Sequence, residues 1–193
     1  KYRQLNKAVK KGQILFTGSS LMEQFPIYEI LLNRGIDKTI YNRGIGGYTI
    51  PEMLNAMDVQ IFELEPSKIF INIGTNDISI SEETAEKFET DYKKVLDQIK
   101  DRLPNAVVYM MAYYPVNEFV AEKMPWPGAK EAALLRCQRL AEANAIVEKL
   151  ASAYGYTYIN VNDGLADDEV KCIVESDTCY WLGGKYGLTR YGK

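Results

Sequence analysis

Five short apolar runs, at residues 14–17, 39–42, 68–73, 106–111 and 157–161, constrain this chain more than any other feature of it. Each has the length and the Ile, Val, Phe and Tyr content of a buried strand, and the stretches between them (21–33, 51–63, 82–102 and 130–154) have the length and apolar spacing of helices. A strand, a helix and a second strand in succession join by a right-handed crossover into parallel pairing. The sequence therefore predicts an α/β fold: a three-layer α/β/α sandwich on a five-stranded, mainly parallel sheet. Residues 1–193 read as a single domain, with no internal repeat, low-complexity stretch or linker.

Local punctuation agrees with that division. Thr49-Ile50-Pro51-Glu52 reads as a capping box with a proline inside the first turn, Gly155 as the glycine that ends the long helix, and Pro26 as a residue that shortens or breaks the first one. Residues 112–128 carry Pro115, Pro125 and Pro127 among Tyr113, Tyr114, Phe119 and Trp126, and read as a long loop after the fourth strand. Loops of that length in a compact domain are usually functional.

Composition removes several classes of function. A formal charge of −3 without blocks of like charge argues against a nucleic-acid partner held through its phosphates. The absence of an apolar run of membrane-spanning length excludes a membrane span, while the compartment stays open between cytoplasm and secretion after signal cleavage. Cys137, Cys172 and Cys179 show no zinc or redox spacing, and a local Cys172–Cys179 disulfide is open to the chain without being required. The acidic run from Asn162 to Glu169 lacks the glutamate that a calcium loop needs after Gly164 and reads as a solvated turn. No metal and no cofactor is expected, and oligomeric state is not legible. The sequence contains no histidine.

The chemistry-bearing residues cluster at three strand ends. After the first strand comes Gly18-Ser19-Ser20, after the second Asn42-Arg43-Gly44-Ile45-Gly46-Gly47, and after the third Gly74-Thr75-Asn76-Asp77. In a parallel sheet all three are carboxyl ends, so the loops converge on one crevice. Ser20, at a strand-to-helix corner, is there either a helix cap or a nucleophile. Ester hydrolysis needs a hydroxyl and two or three N–H donors aimed at the developing oxyanion. Ser20, the Gly47 N–H and the Asn76 amide are of the right types, although turn glycines and an Asx turn at Asn76-Asp77 are the blander readings. The dinucleotide fingerprint fails because Thr49 stands at its third glycine, and the esterase elbow G-x-S-x-G fails at Met22.

Taken together and in this order, the three blocks resemble the SGNH hydrolases, also called the GDSL esterase/lipase family. Gly18-Ser19-Ser20 looks like its G-D-S motif with Ser19 replacing the aspartate, residues 42–48 its second block with Gly47 at the oxyanion position, and Gly74-Thr75-Asn76-Asp77 its G-x-N-D block. The resemblance covers most of the chain and favours Ser20 as the nucleophile position over a simple cap. It implies the flavodoxin-like SGNH fold and hydrolysis of a small carboxylic ester or an acylated carbohydrate through a serine acyl-enzyme. Ser19, Tyr48, Tyr113 and Trp126 are the expected substrate-facing residues. Tyr48 stands where the family often has an acidic or small polar residue, which would narrow the mouth.

The family's closing Asp-x-x-His pair is missing. Gly184 stands at the aspartate position and Gly187 at the histidine, and the chain stops at Lys193, where the family usually continues into a helix. Without a base the Ser20 hydroxyl stays protonated and is a poor nucleophile. Loss of one triad member in serine hydrolases leaves only about 10³ to 10⁴-fold catalysis over water. Lys185, Asp163 and Asp177 are the conceivable substitute bases. The sequence thus supports two functions: a weak or inactive ester hydrolase, and a degenerate binding module that holds an ester or sugar. A flavin or nucleotide binder is weaker, because acyl chemistry accounts for Asn76 and phosphate binding does not.

Overall fold

The computed structural model describes residues 1–116, 127–163 and 165. Its elements, in chain order, are α1 (Tyr2–Leu5), β1 (Ile14–Gly18), α2 (Ser20–Glu23), α3 (Ile27–Asn33), β2 (Ile40–Asn42), α4 (Ile50–Gln60), β3 (Lys68–Asn72), α5 (Ala85–Arg102), β4 (Val107–Met111), α6 (Ala129–Tyr154) and β5 (Thr157–Ile159). The strands form one sheet in the order β2-β1-β3-β4-β5, and every pair is parallel. That order reverses direction beside β1, and open α/β sheets bind ligands at the carboxyl ends next to such a reversal.

Alternation along the strands sorts the core into two layers. Leu15, Ile69, Ile71, Val108 and Met110 point to one face, where Met53 and Met57 of α4, Val95 and Ile99 of α5 and Val147 and Leu150 of α6 bury them. Phe16, Ile40 and Met111 point to the other and pack with Met22 of α2 and Ile27 of α3. Removing each such side chain from water stabilises the fold by about 1.5–3 kcal/mol. On the second face Phe16, Phe70 and Tyr109, which share one register row, stack at 4.6 Å between successive ring centroids.

The helix signals act as read, with shifts at the ends. Pro26, which has no N–H to donate, separates α2 from α3 and so breaks the first predicted helix. The capping box at Thr49 and Glu52 starts α4, and Gly155 ends α6 at φ +72°. Thr84 caps α5 by accepting from the Lys87 N–H at 3.1 Å, so that helix starts at Ala85 and not at Glu82. The third strand stops at Asn72, one residue before its predicted end, and the second, fourth and fifth are also shorter than predicted. At Asn72 the side-chain amide turns to the Ala112 carbonyl at 3.1 Å.

The amino-terminal segment was not read from the sequence. Tyr2 donates its hydroxyl to the Gly44 carbonyl at 2.7 Å, and Asn6 accepts from Arg43 Nε at 2.8 Å. Arg43, only 4% exposed, lies over the rings of Tyr2 and Tyr41 at 5.0 and 5.5 Å. The segment thereby clasps the loop after β2 from outside the sheet.

Candidate active site

Gly18 sets the site's floor. Its φ of +143° and its approach to β3 leave no room for a side chain, since a Cβ there would stand 1.9 Å from the Asn72 carbonyl oxygen. The same oxygen accepts the Ser19 N–H at 3.1 Å, so the chain leaves β1 pinned to the end of β3. Ser19 is the N-cap position of α2, and its carbonyl, not its hydroxyl, accepts from Met22 and Glu23. Ser20 is therefore the first residue inside the helix and not its cap. It is half-buried, and among the described residues neither its hydroxyl nor its N–H has a bonding partner.

The second loop packs directly on α2. A Cβ on Gly44 would meet Glu23 N at 2.2 Å, and the Gly46 N–H donates to Glu23 Oε2 at 2.8 Å. A Cβ on Gly46 would stand 3.9 Å from Ser20 Cβ, which puts the serine beside this loop. The turn from Ile45 to Tyr48 closes with a 3.3 Å bond between the Tyr48 N–H and the Ile45 carbonyl, and Gly47 takes the positive φ of +79° that the turn requires. Gly47 is exposed, and its N–H finds no acceptor among the described residues.

The third loop meets the second through side chains. Asn76 Nδ2 donates to the Tyr48 carbonyl at 2.9 Å, using one amide hydrogen and leaving the other, while Arg136 of α6 donates to Asn76 Oδ1 at 3.4 Å. The neighbouring Asp77, 2% exposed, accepts the Ile50 N–H on both carboxylate oxygens at 3.0 and 3.1 Å. Burial raises its pKa to about 6, against the pull of those hydrogen bonds and helped by the Glu83 carboxylate.

The second loop thus touches both others, the first at Gly46 beside Ser20 and Glu23 and the third at Tyr48 beside Asn76. Two of the expected substrate-facing residues do not face a crevice. Ser19 is fully buried, and Tyr113 is fully buried with its hydroxyl donating to the Ile73 carbonyl at 2.5 Å, so its aromatic body serves the core. Tyr48 is half-buried and packs its ring against the main core, contributing its carbonyl to the site. Asp163, one of the substitute bases, lies exposed in the turn after β5. Trp126, Gly184, Gly187, Lys185, Asp177, Cys172 and Cys179 lie outside the described residues.

Sequence reading missed the residues that hold these loops. Gln60, fully buried at the end of α4, donates its amide to the Arg43 carbonyl at 2.8 Å and the Gly18 carbonyl at 3.2 Å, tying the first loop to the second. Asn42 bridges the Met22 carbonyl and the Gly44 N–H. Burial marks out Gln60, and a polar residue in a helical pattern carries no signal of it; Asn42, named in the second block, gives no sign in sequence of the bonds it makes. Among the described residues no cluster of three acidic, cysteine or histidine side chains could hold a metal, and no helix is long and apolar enough to cross a membrane.

A parallel five-stranded sandwich with a serine at its first crossover, a glycine turn beside it and an asparagine bonded to that turn's end is an α/β protein of the flavodoxin-like SGNH hydrolase class. The chain belongs to the GDSL-like lipase/acylhydrolase family, whose sequence model matches residues 18–174, more than half of the 193. That family's chemistry is the hydrolysis of esters.

Solved structures show the same architecture. A protein from Streptococcus pneumonia, provisionally described as a platelet activating factor, is 28% identical with a TM-score of 0.76 over 97% of this chain and 82% of its own. A GDSL-like lipase from Bacteroides thetaiotaomicron is 18% identical with a TM-score of 0.72 over 97% of this chain and 87% of its own. The acetylxylan esterase Axe2 from Geobacillus stearothermophilus is 14% identical with a TM-score of 0.57, covering 80% and 78%. The last two bear on the fold alone. No curated protein sequence matches the chain.

Proposed function

We propose that residues 1–193 form one ester-hydrolase domain in which Ser20 is the acyl acceptor and the N–H groups of Ser20, Gly47 and Asn76 bind the oxyanion. The observation that carries this reading is a set of donors unused among the described residues: the Ser20 and Gly47 backbone N–H groups, which have no acceptor there, and an Asn76 amide fixed by one hydrogen with the other available. Preorganised donors of this kind stabilise charge as it develops, and each contributes about 10² to 10³ in rate. In the reaction Ser20 Oγ bonds to the carbonyl carbon, the carbonyl oxygen takes the charge, and the alcohol departs with a proton. Water then cleaves the acyl-serine ester and releases the acid.

The serine's own proton has no histidine to receive it, because the chain contains none. It passes to solvent, so turnover is slow. A small ester or an acetylated carbohydrate suits the site's exposed, glycine-built mouth. The missing histidine favours one alternative, a module that binds the same ester without cleaving it.

The test is hydrolysis of p-nitrophenyl acetate together with labelling by a fluorophosphonate. Slow turnover that disappears in Ser20→Ala, and falls about 10²-fold in Asn76→Ala, is the expected result. A rate unchanged in Ser20→Ala overturns the proposal. Saturable binding of the acetate ester without turnover identifies the binding module, and a gain of Ser20-dependent turnover in the Gly184→Asp/Gly187→His variant then shows that only the base is lacking.

A further inference from the structure

We propose that Asp77 is a positioning residue that keeps the Gly47 turn in register with Asn76, so that the two oxyanion donors are aimed at one point. This rests on the oxyanion reading above.

Adjacent side chains of the third loop grip the second loop at two points. Asn76 donates to the carbonyl of Tyr48, and Asp77 accepts from the N–H of Ile50, two residues further on. A slip of one residue would set opposite Asp77 either Pro51, which has no N–H, or Thr49, whose N–H is already given to Glu52 Oε2 at 2.8 Å. Gly47 lies inside the turn that the Tyr48 N–H closes on the Ile45 carbonyl, so holding the Tyr48 carbonyl restrains the turn that carries the Gly47 N–H. The gripped N–H is the first of α4, one of the helix donors that have no partner inside the helix.

At the far end of the same helix Gln60 bonds the carbonyls of Gly18 and Arg43, fixing α4 to the first two loops as Asp77 fixes it to the third. Helix α4 is therefore a strut with one anchor at each end, and Asp77 is the anchor on the oxyanion side. The Asn76-Asp77 pair, which in sequence also suits a local Asx turn, acts across the fold.

The ionisation of Asp77 makes the role testable. As a carboxylate it offers both oxygens to the Ile50 N–H; as an acid one oxygen becomes a donor that this N–H cannot use. The charged groups near it are Glu83, which disfavours the carboxylate, and Lys87, which favours it. The Tyr92 hydroxyl of α5 and the Tyr113 hydroxyl after β4, both held neutral by burial, complete the surroundings. On α6, Arg139 is spent on the carbonyls of Ile78, Ile80 and Ser81, and Arg136 reaches Asn76 itself. On α4, Glu52 is bound to its own Thr49.

The experiment is a pH titration of the ¹⁵N-labelled 193-residue protein, following the amides of Gly47 and Ile50 and the side-chain amide of Asn76. All three signals are expected to shift with one shared midpoint near the Asp77 value of about 6, and to lose that transition in Asp77→Asn. A carboxylate that merely caps α4 would move Ile50 alone. Flat Gly47 and Asn76 signals beside a titrating Ile50 overturn the proposal, as does a shared transition that survives in Asp77→Asn. Should that variant not fold, the wild-type titration decides by itself. Labelling of Ser20 is a separate readout: shared titration without Ser20 labelling upholds the clamp and removes the esterase reading, and the reverse removes the clamp alone.

Discussion

Replacing Asp77 by asparagine is expected to stabilise the protein at neutral pH while loosening its grip on the oxyanion turn. Burial lifts the Asp77 carboxyl from an ordinary 3.8 to about 6, so the native state holds this proton more tightly than the unfolded chain does. Where the native state binds more protons, stability falls as pH rises. The group's contribution is thus fully present below about pH 4, is lost across the window from there to about 6, and leaves a cost of about 3 kcal/mol above it. Asparagine has the same shape, carries no charge and keeps one acceptor for the Ile50 N–H. Its new NH₂ group enters a site that is 2% exposed, and an unsatisfied donor there takes back about 1–3 kcal/mol. The net gain at neutral pH is then up to about 2 kcal/mol, or up to roughly 8 °C in melting temperature for a chain of this length. Urea melts of both proteins at several pH values between about 4 and 7.5 measure it. The predicted signature is a stability difference that grows with pH and levels off above the Asp77 midpoint. A difference independent of pH would refute the reasoning, because it would mean that no buried charge is being carried at neutral pH.

Two further substitutions test how the loops are held. Gly18→Ala places a Cβ 1.9 Å from the Asn72 carbonyl oxygen, against backbone that cannot rotate away, and is expected to cost more than about 3 kcal/mol; a thermal melt within a degree or two of wild type would show that β1 and β3 do not cross so closely. Gln60→Leu takes its donor from the Arg43 carbonyl and leaves the Gly18 carbonyl with the Ile45 N–H alone, for a loss of about 1–3 kcal/mol in denaturant melts, and an unchanged melt would remove the strut's second anchor.

The sheet was legible in the sequence because its central strands β1, β3 and β4 are largely covered on both faces and therefore read as continuous apolar runs. The capping box at Thr49 and the glycine at 155 were legible because their chemistry is local. What the sequence hid is non-local. Tyr113 looks like a mouth residue, as an aromatic next to a proline-rich loop, but its ring is turned into the core and its hydroxyl is spent on Ile73. Ser19 sits in the signature motif, yet the pinning of its N–H to Asn72 directs the side chain inward. Gln60 reads as the polar end of an amphipathic helix and is in fact fully buried. In each case which way a side chain points is settled by a partner dozens of residues away, and one-dimensional spacing does not contain that partner.

This distinction bears on how much weight each site residue carries as evidence of chemistry. Gly18 and Gly44 have steric reasons to be glycine that any protein of this fold would share, and Asp77 holds the end of a helix. Half of the Asn76 amide is employed in joining two loops. None of these would differ between a hydrolase and a binding module. The Ser20 hydroxyl is different: it is half-buried, it caps no helix, and it has no bonding partner among the described residues. No described element uses it, so its removal disturbs little among them besides the chemistry. A change in rate or labelling on Ser20→Ala accordingly reports on function alone, whereas the same change on Gly18, Asn76 or Asp77 would mix function with the integrity of the loops.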